Sequence, residues 1–88
     1  MKETNLIIKN KLGLHARAAA MIVQNANKFS SDIKIGQDGI EVNAKSIMGI
    51  MMLAASFGST ITVKAEGKDE ELAVKAITQL VENRFGEE

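Results

Sequence analysis

Thr60-Ile61-Thr62-Val63-Lys64-Ala65-Glu66 is the stretch of this 88-residue chain that decides its fold. Successive side chains of a strand point to opposite faces, so Ile61, Val63 and Ala65 share one face and Thr60, Thr62, Lys64 and Glu66 the other. A strand apolar on one side and polar on the other belongs in a sheet that is covered on one face only, which is an antiparallel habit. Gly58 and Ser59 precede the stretch and Gly67 closes it, as turn residues do.

Upstream, Ile33 and Ile35, then Ile40 and Val42, repeat the alternation on either side of Gly36-Gln37-Asp38-Gly39, which predicts a hairpin with a tight turn. Leu6 and Ile8 alternate with Asn5, Ile7 and Lys9 in a first strand that ends in the polar stretch Lys9 to Lys11. Between these strands the period changes. Ala19, Ile22, Val23, Ala26 and Phe29 fall at helical spacing, so a helix of roughly three to four turns starts at Ala16 and leaves at Ser30 and Ser31. Asn43 to Ser46 supply cap-type side chains ahead of the apolar run Ile47 to Leu53, a short second helix with Ser46 as candidate N-cap. After the deciding strand, Asp69 is placed to cap a last helix whose inner side carries Ala73, Ala76, Ile77, Leu80 and Val81, with Gly86 just past its end. The order is βαββαβα. Antiparallel strands with three helices on one face bury this pattern, giving an α+β, open-faced two-layer β-sandwich over residues 1–88 read as a single domain.

Composition narrows the function. Eleven Lys plus Arg balance eleven Asp plus Glu, so no global field draws the chain to nucleic acid or a membrane surface. It has no cysteine, so neither disulfides nor thiolate chemistry is available. The opening MKETNLIIKN holds no apolar run suited to a signal sequence, and nowhere do about 18 apolar residues follow one another, so a cytoplasmic protein that is not membrane-inserted is expected. The three aromatic residues are Phe29, Phe57 and Phe85, which leaves no stacking platform and basic stripe for a nucleic-acid reader.

The chemistry gathers at Gly13-Leu14-His15-Ala16-Arg17. This segment puts the only histidine at or beside the N-cap of the first helix. The first N–H groups of a helix lack intrahelical partners and the helix dipole adds about half a positive charge there, so the place suits an anion. Arg17 adds a planar cation that can contact phosphate oxygens. Neutral imidazole is a nucleophile, and the positive helix end and Arg17 both act against its protonated form. On His15 and Arg17 alone, a surface histidine that merely ends a helix is the stronger explanation. One histidine without cysteine or clustered carboxylates is too few ligands for a metal, and no partner serine or orienting group points to a hydrolase. No cofactor is called for.

Gly13-Leu14-His15-Ala16-Arg17 resembles the active-site signature of the HPr family, the histidine phosphocarriers of the phosphoenolpyruvate-dependent sugar phosphotransferase system. Asn43-Ala44-Lys45-Ser46-Ile47-Met48-Gly49-Ile50-Met51 is similar to that family's regulatory-serine segment, and Ala65-Glu66-Gly67 agrees with the end of its last strand. The resemblance covers essentially the whole chain. It implies that His15 accepts phosphate at Nδ1 from phosphorylated enzyme I and passes it to a IIA component of a sugar transporter, with Arg17 steadying the phosphoryl group. It implies the sheet order 1-4-2-3 and, at Ser46, regulatory phosphorylation by an HPr kinase/phosphorylase. The family usually has proline after the arginine, and this chain has Ala18, which keeps an N–H and loses a fixed φ in the first helical turn.

Two further expectations concern surfaces. A phosphate on Ser46 suits a helix N-terminus while repelling acidic partners at the edge of a docking patch. Ile47, Met48 and Met51 beside Ala20 are the expected patch, because a short helix apolar at Ile47, Met48, Ile50, Met51, Met52 and Leu53 cannot bury every side, and flexible methionines suit successive partners. A monomer is expected, since a carrier must show His15 to two partners in turn. The competing assignments are a nitrogen-related or purely regulatory carrier that uses the same histidine, and a small nucleic-acid or ligand-sensing module that would leave both motifs without a purpose.

Overall fold

The computed structural model describes residues 1–87. Strand β4 (Thr60–Glu66) lies inside the sheet with β1 (Lys2–Ile7) on one side and β2 (Asp32–Gln37) on the other, and β3 (Ile40–Asn43) follows β2 at the edge. All neighbours are antiparallel, in the order β1-β4-β2-β3. The register sets Leu6 opposite Ile61, Ile35 opposite Val63 and Ile33 opposite Ala65, so the apolar halves of the alternations meet on one face. All six of these side chains are buried. Three α-helices occur among the described residues: α1 (Ala16–Ala26), α2 (Ile47–Met52) and α3 (Glu70–Glu82). They contribute Ala19, Ile22, Ala26, Ile50, Ala73, Ile77 and Val81 to the same core. Each large aliphatic side chain removed from water in this way contributes about 1.5–3 kcal/mol.

The opposite face stays polar. There Thr62 donates to Asn5 Oδ1 at 2.7 Å, and Lys64 Nζ lies 2.5 Å from Glu41 Oε2. This is the open-faced sandwich expected from the sequence, with the expected strand order.

Local differences have local causes. The hairpin closes on Asp38 (φ 52°) and Gly39 (φ 83°) alone, a pair of left-handed residues that matches the twist of the flanking strands. Gly36 and Gln37, expected in the turn, therefore belong to β2. Helix α1 stops at Ala26, short of Phe29, and Lys45 Nζ takes the carbonyl of Phe29 at 2.9 Å.

Asp69 stands at the N-cap of α3, as expected, and its carbonyl accepts from Ala73 N–H at 2.9 Å, but its side chain makes no capping hydrogen bond. Its carboxylate accepts from the backbone N–H of Ser30 (2.9 Å) and Ser31 (3.0 Å) and from the Ser31 hydroxyl (2.5 Å). Glu70 takes over at the helix start, accepting from Gly67 N–H at 3.1 Å.

Helix α3 ends at Glu82, four residues before Gly86. A short left-handed turn follows, with φ near 55° at both Arg84 and Phe85 and 75° at Gly86. Non-glycine residues enter that region at some cost. Burial of Phe85, 1% exposed, supplies the compensation. Among the described residues, no helix is long and apolar enough to cross a membrane.

Candidate functional site

Two loops meet ahead of α1. Ile8 N–H donates to Ser59 O (2.9 Å), Gly58 N–H to Ile8 O (2.8 Å) and Leu14 N–H to Ala55 O (2.9 Å). A Cβ at Gly13 would stand 2.5 Å from Ala55 O, and its φ is +66°, so only glycine lets the loops approach this closely. Leu14 is buried beside it. Packing thus fixes the residue before His15 in space.

His15 is the N-cap of α1, with φ −74° and ψ 178°, and its carbonyl accepts from Ala19 N–H at 2.9 Å. Its side chain makes no capping hydrogen bond. The N–H groups of Ala16, Arg17 and Ala18 therefore begin the helix without an intrahelical acceptor, next to a partly exposed imidazole. The Arg17 side chain is exposed, and Ala18 is fully buried where the resembled family usually has proline.

The ring has one partner that sequence reading missed. His15 Nε2 lies 2.5 Å from Glu87 Oε2, and the other carboxylate oxygen accepts from Asn10 Nδ2 at 3.2 Å. Asn10 is wholly buried and also donates to Gly13 O at 2.8 Å. The hydrogen bond with His15 holds the Glu87 carboxyl below its ordinary value, and the Asn10 amide and the Arg17 charge act in the same direction against partial burial. The helix end and Arg17 are thus not the only charges at His15, because Glu87 sets a negative one against them. Glu87 stands 72 positions from His15, and no local pattern announces it. The left-handed turn Arg84–Gly86 carries it there.

Ser46 is the N-cap of α2 with φ −119° and ψ 114°, and its hydroxyl accepts from Gly49 N–H at 3.0 Å. Ile47, Met48 and Met51 are exposed, as is Met52, while Ile50 and Leu53 turn inward. Helices α1 and α2 pack together, and Ala20 on α1 is half-buried. Of the methionines, Met52 is the most exposed, at 77%; its place in the apolar run had left its side open. No group of three or more metal-ligating side chains occurs among the described residues. A shallow hollow of about 630 Å³ on the uncovered sheet face is lined by Glu3, Glu41, Thr62 and Lys64 among others, and none of His15, Arg17 and Ser46 lines it.

Comparison with known proteins bears on this arrangement. The family model described as the PTS HPr component phosphorylation site matches residues 2–83. The phosphocarrier protein HPr of Xylella fastidiosa (strain 9a5c) is 54% identical over 88 residues, covering 100% of this chain and 99% of that one. The HPr-like protein Crh of Halalkalibacterium halodurans is 52% identical, covering 93% and 98%. Among solved structures, HPr-C-His from Thermoanaerobacter tengcongensis superposes with a TM-score of 0.97 at 58% identity, covering 100% and 99%. A dimer of HPr from the same organism does so at 0.80 and 57%, covering 99% and 100%.

Proposed function

The chain belongs to the HPr family, phosphocarriers of the phosphotransferase system and carriers rather than catalysts, and from that premise we propose that it loads His15 at Nδ1 from phosphorylated enzyme I and hands the phosphoryl group to a IIA component. One observation carries this most. His15 holds the N-cap position without spending its ring on capping, so a nucleophile sits beside helix N–H groups that are free to receive an anion. Arg17 supplies an exposed positive charge, and the whole of residues 1–88 acts as one HPr-like domain. No cofactor enters the transfer.

The test is incubation with phosphoenolpyruvate and enzyme I, read by intact mass and phosphorus NMR. The native chain gains one acid-labile phosphoryl group and His15→Ala gains none. No transfer to the native chain from an active enzyme I of the same host would overturn the reading.

Docking falls to Ile47, Met48 and Met51 with Ala20. Because Met48 is 73% exposed, Met48→Asp leaves thermal stability within about 0.5 kcal/mol and raises the KM of enzyme I for this chain. An unchanged KM would remove Met48 from the surface. Ser46 is the regulatory position, modified by an HPr kinase/phosphorylase. Its partly exposed hydroxyl begins α2 next to that surface, where a phosphate suits the helix start and hinders docking. The working form is a cytoplasmic monomer, which sedimentation of the loaded and unloaded chain would check against the dimer known for a relative.

A further inference from the structure

We propose that Glu87 is a positioning residue for phosphoryl transfer, holding the His15 proton on Nε2 so that Nδ1 presents the lone pair; this rests on the carrier reading above. An ionised carboxylate only accepts hydrogen bonds. With Glu87 Oε2 2.5 Å from Nε2, the hydrogen between them belongs to the ring. A neutral imidazole carries a single ring hydrogen, and with that hydrogen on Nε2 the nucleophile is Nδ1, the nitrogen that the helix N-cap leaves free of capping.

The carboxylate is itself held. Asn10 is fully buried and its Nδ2 bridges Gly13 O (2.8 Å) and Glu87 Oε1 (3.2 Å). Reversing that amide would set an oxygen against both acceptors, so its orientation follows from its partners. Buried Phe85 and the left-handed turn fix the segment that delivers Glu87. A carboxylate bound on both oxygens within a packed turn is prepared before the reaction, as an orienting group must be.

The step balances as follows. The Nδ1 lone pair forms the new N–P bond while the bond between phosphorus and the phosphoryl-bearing atom of the donor breaks, and that bonding pair returns to the donor. The proton on His15 Nε2 stays in place. The His15 ring thereby becomes a phosphoimidazolium, whose developing positive charge lies one hydrogen bond from Glu87. Transfer onward reverses this: the new N–P bond breaks, its pair returns to Nδ1, and the neutral Nε2–H ring is restored. Glu87 thus favours loading, and on unloading it holds the ring in the same Nε2–H tautomer.

Glu87→Gln and Glu87→Ala test this in the full chain, with Glu87→Asp as the conservative variant. Two readouts are needed: kcat and KM of enzyme I with the chain as acceptor, and ring ¹⁵N NMR of the unphosphorylated protein. Loss of one charge-assisted hydrogen bond lowers kcat by roughly tenfold or more with KM unchanged, and weakens the Nε2-bound proton signature; Glu87→Asp recovers part of both. Native kcat in Glu87→Ala with unaltered ring signals would overturn the proposal, as would a raised KM at native kcat, which would make Glu87 a docking contact. A native chain that is never loaded would instead sink the carrier reading, and the ring NMR would still report whether Glu87 sets the proton.

Discussion

Asp69 shows how one side chain can hold two segments, and what acid does to that hold. Its carboxylate accepts from Ser30 and Ser31; the Ser31 hydroxyl and then the Ser30 N–H hold it below its ordinary value of 3.8. The folded chain therefore gives up this proton more readily than the unfolded chain. Stability from Asp69 is fully present above the unfolded value and drains away as pH falls through the lower folded one. Glu41, Glu70 and Glu87 are displaced in the same direction. In urea titrations from about pH 5 to about pH 3, the native midpoint falls and the Asp69→Asn profile is flatter over that window; parallel profiles would refute the assignment. At this scale the sequence was legible where chemistry is local. His15, Arg17 and Ser46 stand in short segments whose helix ends can be read directly. Asp69 was located but given the wrong partner, and Glu87 was not seen, because both act on residues distant in the chain.

Elements were legible in kind and less so in their ends. Periodicity named every strand and helix, whereas Gly86 suggested that α3 runs on to its neighbourhood. Helix α3 ends at Glu82 because Phe85 has more to gain in the core than a further helical turn would offer on the surface. Phe85→Ala is expected to cost about 3–5 kcal/mol and to release Glu87 from His15, which denaturant unfolding and ring NMR would report together. Helix α2 is too short to stand alone, and its first turn leans on Ser46, whose hydroxyl takes Gly49 N–H. Ser46→Ala costs about 1 kcal/mol, seen as a drop of about 4–8 °C in Tm. An unchanged Tm would mean that the cap is redundant with packing.

At the scale of the molecule, one face of the sheet carries the buried core. A domain of this size is stable by about 5–15 kcal/mol, so Ile77→Ala in α3, at about 2–5 kcal/mol, removes a large share while His15 in the remaining folded molecules still accepts phosphate. A variant that unfolds at the native midpoint would show that α3 is only loosely docked. Topology adds a consequence in time. Strand β1 pairs with β4 alone, and the loop that fixes His15 rests on Ala55 through Leu14. While the ribosome is still making the first half of the chain, β1 and the histidine behind it have nothing to lie against. The reactive residue is synthesised early and becomes competent late, so a nascent or prematurely ended chain exposes His15 without the surroundings that would let it compete for phosphate.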